Sequence, residues 1–368
     1  MSQFETRGLK ELFQCDTLES LERYIAYKVF STSKAWGGVI RVRGAEVMLK
    51  AAVFTRWFIL DPQNIPEGAR HHISTEIAML WEIRRRIIER NYSPAFMEIL
   101  HSQVCKIPEN KRVIPDRDPP GDTAQKDAAD SLNSIIRHGR SSDSQDVALI
   151  FLEKCDMTFK KFVPRLIFAH DMEIFKSIAF VLVHGWHVLH LVIPDFRHGD
   201  THADNFMVKL EPTAGFTCNP PVIILYALGK TFAVPYYGVL PKVIDFDHAR
   251  SEALGVITYT ANMRMVNMYS NELARLFSEL ARQIPKIRGC TEFSKAATQF
   301  MHQIYSWNAY LEDADELNQK FPTTEEILRM DVFKGYVLAD RILEGDELLG
   351  AVPKGVTVKH IYRRVPDS

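Results

Sequence analysis

Several large protein classes are excluded by what this chain of 368 residues lacks. It has only five cysteines, Cys15, Cys105, Cys155, Cys218 and Cys290, at irregular spacing and with no Cys-x-x-Cys pair. Such a set argues against a disulfide framework and a thiolate zinc site, and predicts reduced thiols. An excess of one charge is missing too: 45 Lys+Arg face 46 Asp+Glu, a net charge of −1. A chain so balanced has no global basic field, so no nucleic-acid partner is expected, although one local pocket can still hold phosphate. No basic segment followed by an apolar one opens the chain, so no secretory signal is expected. The most apolar run, residues 178–194, is interrupted by His184, Gly185, His187 and His190. It reads as a buried core helix rather than a membrane span, and the expected location is intracellular and cytoplasmic. Gly-x-Ser-x-Gly, a Walker loop, a Cys–His pairing and internal repeats are all absent.

What is present is ordinary globular composition: 46% apolar, 25% charged and 11% aromatic residues, with 18 Gly and 18 Pro. At roughly 150 residues per domain, the length implies about two to two and a half domains. Residues 9–26 carry apolar side chains at helical spacing, so 1–26 is expected to be a helical extension. From Tyr27 the period changes to two, and Val29, Val39, Ile40, Val42 and the run 47–54 predict three antiparallel strands, with a turn at Arg43-Gly44. A helix follows over Ile73, Ile77, Leu80, Trp81, Ile87 and Ile88, then strands at 96–104 and 147–152. Residues 106–146 are rich in Pro, Asp, Lys, Ser and Gly and predict a loop-like insertion with a short helix near 128–136. Beyond Met172 the pattern is mainly helical, apart from strand-like runs at 206–210, 221–225 and 242–246. The expected architecture is α+β, a small β-rich half followed by a larger helical half with a cleft between them.

The sharpest chemical signal is Arg197-His198-Gly199-Asp200-Thr201-His202-Ala203-Asp204-Asn205, followed some forty residues later by Val243-Ile244-Asp245-Phe246-Asp247. An Asp opening a tight loop, with an Asn five residues on at the start of a strand, places a carboxylate and an amide oxygen on one rim. An Asp closing the next strand of a hairpin faces the same rim. Phosphoryl transfer uses this set: one carboxylate orients the attacking hydroxyl, and an amide oxygen with a second carboxylate holds Mg²⁺ on a polyphosphate. The plainer reading is a pair of turn-rich loops whose Asp side chains cap backbone groups.

These residues resemble the catalytic loop His-x-Asp-x-x-x-x-Asn and the Asp-Phe-Gly element of the protein-kinase-like superfamily. Within it they are most like the Ser/Thr kinases of large DNA viruses of the poxvirus and iridovirus type. The resemblance spans roughly residues 27–336 and implies a bilobal fold. The N-lobe covers 27–154 with the insertion 106–146, and the C-lobe covers 155–336 with an insertion at 209–241. A tail, 337–368, follows. It further implies ATP with Mg²⁺, or alternatively Mn²⁺, as cofactors, and a protein substrate with a Ser/Thr acceptor, in host cytoplasm or in virions. Lys50 falls where the phosphate-gripping strand lysine is expected, with Glu76 as its ion-pair partner and Glu82 as the alternative. Thr32, Lys34, Gly37 and Val39 align with the phosphate-covering loop, and Glu153 and Cys155 fall at the adenine hinge. Asp200 takes the catalytic role, Asn205 and Asp245 the metal.

The pattern also departs from that family. Only one glycine of the phosphate loop is kept, Asp247 replaces the last Gly of Asp-Phe-Gly, and no Ala-Pro-Glu-like segment follows. His202 replaces the usual lysine, as in the His-Gly-Asp-x-His loops of aminoglycoside and choline kinase-like enzymes, where an imidazole touches the γ-phosphate or packs the loop. A small-molecule kinase and a silent pseudokinase scaffold therefore stand as competing readings. Thr323 with Glu326 predicts a capping box opening a helix like the end of a kinase C-lobe. The spacing of His184, His187 and His190 spreads them around a helix, which favours a structural role over a metal site. Arg84, Arg85, Arg86 and Arg90 read as a solvated helix face.

Overall fold

Apolar, often β-branched residues on a two-residue period build the first sheet. The computed structural model describes residues 24–31, 35–54, 72–106, 123–141, 146–168, 170–211, 219–255, 291–304 and 322–366, with 272, 273, 276, 277, 279, 280 and 284 between them. Strands β1 (Ile25–Ser31), β2 (Ala35–Val42) and β3 (Ala45–Phe54) are antiparallel neighbours. Arg43 and Gly44, at φ 50° and 85°, make the two-residue turn whose left-handed backbone matches the twist of a hairpin. Helix α1 (His72–Ile83) runs on into a π turn at Arg84–Ile88. β4 (Ile99–Lys106), α2 (Thr123–Ser141) and β5 (Asp146–Glu153) complete a five-stranded sheet of order β1-β2-β3-β5-β4.

The segment 106–146 is the main correction to the sequence reading. Instead of a loop with a short helix, it contains the 19-residue α2. Its Ala128, Ala129, Leu132 and Ile135 are buried in one core with Trp36, Ile40, Leu49 and Phe151. These four positions fall on one helical face, while Asp127, Asp130 and Ser134 stay exposed. A polar average over forty residues concealed a narrow apolar stripe. Two boundaries also move: β1 starts at Ile25, inside the expected helix 9–26, and β4 starts at Ile99 rather than Phe96. The rest of that expected helix, through residue 23, lies outside the described residues. Cys105 is disulfide-bonded, against the expectation of reduced thiols, while Cys155 is a free buried thiol.

The chain divides into two compact units, Met1–Trp81 with Met97–Lys154, and Glu82–Phe96 with Cys155–Ser368. In the second, β6 (Met157–Thr158) and the short α3 (Phe159–Phe162) precede α4 (Asp171–Val192). Asp171, the first residue of α4, accepts the N–H groups of Ile167 (2.6 Å) and Phe168 (2.8 Å) and ties the preceding turn to the helix. α4 is apolar around most of its circumference, and it is buried to match, from Met172 through Leu189 with few breaks.

Four strands follow: β7 (Phe206–Leu210), β8 (Val222–Ala227), β9 (Lys230–Pro235) and β10 (Val239–Val243). β7 pairs with β6 on one side and β10 on the other. Helix α5 (Glu292–Ile304) sets Phe293 and Phe300 edge-on against Phe175 of α4. The expected capping box opens α6 (Thr324–Leu328): Glu326 N–H donates to Thr323 Oγ1, and Thr323 N–H donates to Glu326 Oε2.

The stretches expected as an insertion, 209–241, and a tail, 337–368, pair with each other in the structure. Together they supply a four-stranded sheet of order β11-β9-β8-β12, where β11 is Val337–Ala339 and β12 is Val358–Ile361, with α7 (Gly345–Ala351) between. Every residue of β8 is buried, a pattern that calls for neighbours on both faces and both edges. The tail meets that need, β12 lying parallel to β8 and Leu343 and Leu348 covering Val222, Ile224 and Tyr226.

Two outcomes follow from this packing. Leu132→Ala should lower the stability of the first unit by about 2–4 kcal/mol in urea denaturation, while Asp130→Ala on the exposed face changes it by less than about 0.5 kcal/mol. In α4, burial pushes His184 down to about 3 and His190 down to about 4. The folded pKa values lie below the unfolded value near 6.5, so the unfolded chain takes up these protons first. The stabilisation is complete above about pH 6.5 and is lost as pH falls toward about 4. The urea midpoint of the second unit should therefore drop between about pH 7 and pH 5, and His190→Gln should flatten that slope.

Candidate active site

The loop from His198 to Asn205 has its shape imposed from several sides. Gly199 sits at φ +80°, and a Cβ there would lie 2.5 Å from the His248 carbonyl oxygen, so only glycine fits. His198 is fully buried, its ring lying against Trp186 of α4 and Phe206 of β7. Its Nε2 donates to Ile244 O at 2.9 Å while its Nδ1 accepts the Asp200 N–H at 3.4 Å, which assigns the ring proton to Nε2.

The strongest restraint is the buried Glu272. Its two carboxylate oxygens accept the N–H groups of His198 (2.8 Å) and Gly199 (2.7 Å), and its own carbonyl accepts the Thr201 hydroxyl at 2.6 Å. Glu279, seven residues further on, accepts the Ala203 N–H at 2.7 Å. Leu273, Leu276, Phe277 and Leu280 beside them are buried, so these residues anchor in the core while Glu272 and Glu279 offer their carboxylates to the loop.

Held this way, the loop brings three of the expected site residues together. Asn205 Nδ2 donates to Asp200 O (2.9 Å) and to Asp200 Oδ2 (3.1 Å). His202 Nε2 lies 3.1 Å from the same Oδ2, and its Nδ1 accepts the Asp204 N–H. Lys160 of α3 pairs with Asp204 at 2.8 Å, and that hydrogen bond holds the lysine pKa above its usual value. Asp245 joins from the other strand of the ladder. β7 and β10 pair with Phe206 opposite Val243, and Ile244 N–H donates to Asn205 O at 3.1 Å. Asn205, before β7, and Asp245, after β10, thus sit at one end of the ladder. Asp245 is left-handed (φ 63°, ψ 65°), a conformation Asp tolerates better than most residues.

The first unit holds the other part of the expected set. Lys50 on β3 reaches both oxygens of Glu76 on α1, at 2.9 and 2.8 Å, and the carboxylate side chain is only 2% exposed. Glu82, the alternative partner, is taken instead by Arg85 and Arg86. Gly37 lies opposite Lys50 and Val39 opposite Met48 in the β2–β3 ladder. Glu153 gives its N–H to Glu98 O and accepts the Glu98 N–H on its side chain, so that N–H is already engaged. Cys155, the other hinge candidate, is buried just beyond β5. Thr32 and Lys34 lie outside the described residues.

Among the described residues no group of three or more His, Cys, Asp or Glu side chains is arranged to hold a metal ion. The donors that Asn205 and Asp245 offer, an amide oxygen and a carboxylate, are the hard type that suits Mg²⁺, which takes few protein ligands when phosphates supply others. With the Asn205 NH₂ turned to Asp200, its Oδ1 is the atom left for a cation. The donor set fits the group.

No family model and no curated protein matches the chain. Among solved structures it is similar to "WaaP in complex with acyl carrier protein", at 13% identity and a TM-score of 0.37 over 82% of this chain and 88% of that one. The sequence reading missed Glu272, Glu279, Lys160 and Trp186. The only trace of the first two was a pair of acids seven residues apart, interleaved with Leu273, Leu276, Phe277 and Leu280. Glu272→Gln cannot accept both N–H groups on carbonyl-type oxygens, so it should cost about 1.5–3 kcal/mol. Hydrogen exchange at the His198 and Gly199 amides should accelerate, and unchanged protection there would contradict the clamp.

Proposed function

We propose that the chain is an ATP-dependent phosphotransferase of the protein-kinase-like type, acting on Ser/Thr hydroxyls of a protein. The observation that carries this reading is the Asp200–Asn205 pair, locked together in a clamped loop at the ladder end that also bears the left-handed Asp245. Turn-capping alone does not explain it. A capping carboxylate is satisfied by its own turn, whereas Asp200 is met by two side chains, His202 and Asn205, that orient it. The bilobal arrangement with nucleotide in the cleft, and the kinship with viral Ser/Thr kinases, belong to this proposal.

In this mechanism Asp200 accepts the proton of the attacking hydroxyl, and the hydrogen bonds from Asn205 and His202 set the direction of its carboxylate. Asn205 Oδ1 and Asp245 are the metal ligands, and Lys50, fixed by Glu76, grips the α- and β-phosphates. When bound, Mg-ATP supplies the γ-phosphoryl group and the charge neutralisation for its transfer. The buried Lys50–Glu76 pair supports the assignment, because its desolvation cost makes it a poor purchase of stability and a good way to hold an ammonium at one point.

A small-molecule acceptor is the second reading, favoured by the His202–Asp200 contact, which follows the His-Gly-Asp-x-His pattern of choline and aminoglycoside kinase-like enzymes. Radiolabelled ATP offered with a protein mixture, choline and an aminoglycoside separates the two. Label should enter protein Ser/Thr, and Asp200→Asn should slow transfer by about a hundred- to ten-thousandfold with little change in stability. Label on choline or the aminoglycoside alone selects the second reading. No transfer by the wild type to any acceptor, itself included, leaves a binding scaffold.

A further inference from the structure

Asp195 lies just beyond the end of α4, and none of the roles assigned above uses it. Its side chain reaches across the fold rather than along its own turn. Oδ1 accepts the Ser251 hydroxyl at 2.7 Å and Oδ2 accepts the Ala253 N–H at 2.9 Å, partners 56 and 58 residues away. A carboxylate that only caps a turn takes its donors from within a few residues. Burial alone would raise the Asp195 carboxyl, but the backbone of Ala253 and Glu252 and the Ser251 hydroxyl hold it below the usual carboxylate range. It therefore meets these donors as a charged group. Ser251 has no exposed surface, and its Oγ also accepts the Leu254 N–H at 3.3 Å.

The residues that Asp195 grips continue the element that carries Asp245. Arg197 N–H donates to Arg250 O at 2.9 Å and Arg250 N–H to Arg197 O at 2.8 Å, an isolated bridge outside any strand. A lone pair of such bonds is marginal by itself, and the Asp195 contacts close its outer end. On the inner side, Ala249 N–H donates to Phe246 O at 3.1 Å. Phe246 is fully buried against Phe196 and His198, and the His248 carbonyl packs where only Gly199 leaves room. The stretches 195–200 and 245–253 are thus closed together from Asp195 at one end to the left-handed Asp245 at the other. A left-handed Asp persists only where its surroundings enforce it. We propose that Asp195 is a positioning residue: by holding Ser251 and Ala253 it keeps the chain from Phe246 to Ala253 in one conformation, and so sets where the Asp245 carboxylate stands. This inference rests on the reading of Asp245 as a metal ligand.

The test uses the full chain and two readouts, amide hydrogen exchange and the binding of Mn²⁺ in the presence of ATP, followed by the electron paramagnetic resonance of free Mn²⁺. Asp195→Ala should speed exchange of the Ala249 and Arg250 amides by about tenfold or more. The Ile244 amide, held by Asn205 O in the neighbouring ladder, should keep its protection. Mn²⁺ affinity in the same variant should fall by about fivefold or more, a change that a merely structural contact does not produce. Asp195→Asn keeps the side chain's shape and one carbonyl oxygen, and should speed the same two amides by a smaller factor. That variant decides the question if the alanine form loses protection throughout. Unchanged exchange at Ala249 and Arg250 overturns the proposal, and so does full Mn²⁺ affinity in a variant whose amides have been released. A wild type that binds no Mn²⁺ with ATP removes the phosphotransferase reading instead, while the amides still report whether Asp195 holds the segment.

Discussion

Two oxygens of one buried carboxylate hold the loop on which the candidate chemistry rests. Glu272 is nearly inaccessible to solvent, and a carboxylate in that position is tolerated only when its charge is met by donors. The donors are the backbone N–H groups of His198 and Gly199, which in a tight turn have no partner in a helix or strand. Each group therefore solves the other's problem, and the loop leaves this contact in one conformation. Everything downstream inherits that order: Gly199 turns the chain, Asp200 emerges beside Asn205, and Asn205 starts the strand that pairs with β10 and carries Asp245 to the same end.

The first unit applies similar physics to the opposite charge. Lys50 is fixed by a carboxylate more deeply buried than itself, on a helix whose Met79, Leu80 and Ile83, on the same face as Glu76, are also buried. Because the ion pair is paid for in desolvation, its contribution is positional rather than stabilising. The sheet beneath it is stiffened by α2, whose apolar stripe closes one side of the core shared with Trp36 and Leu49. In both units a charged group is held still by residues distant in sequence.

The parts of this molecule readable in advance were those written in short, contiguous patterns. The hairpin from β2 to β3 is announced by alternating apolar residues around Arg43-Gly44, and the capping box by Thr323 and Glu326 three residues apart. Lys50 with Glu76 was implied by the kinase-like resemblance, and the run from Asp200 to Asn205 was legible because an Asp and an Asn at that spacing have few chemical uses. What escaped was either diluted or distant. The stripe of α2 was averaged into a polar segment, and the strand-like run that became β8 had no visible partner because β12 lies more than a hundred residues away.

Sequence alone therefore determined the α+β composition, the strand-rich start, the long buried α4 and the identity of the candidate chemical residues. These follow from side-chain period and from the functional groups themselves. Tertiary structure decided which carboxylate Lys50 pairs with, what clamps the loop at His198, and that insertion and tail form one sheet. It also decided that His184 Nε2 meets the Tyr226 carbonyl. The physical reason is the same in each case: hydrogen bonds and burial are settled between groups that meet only when the chain has folded, and no local pattern encodes the meeting.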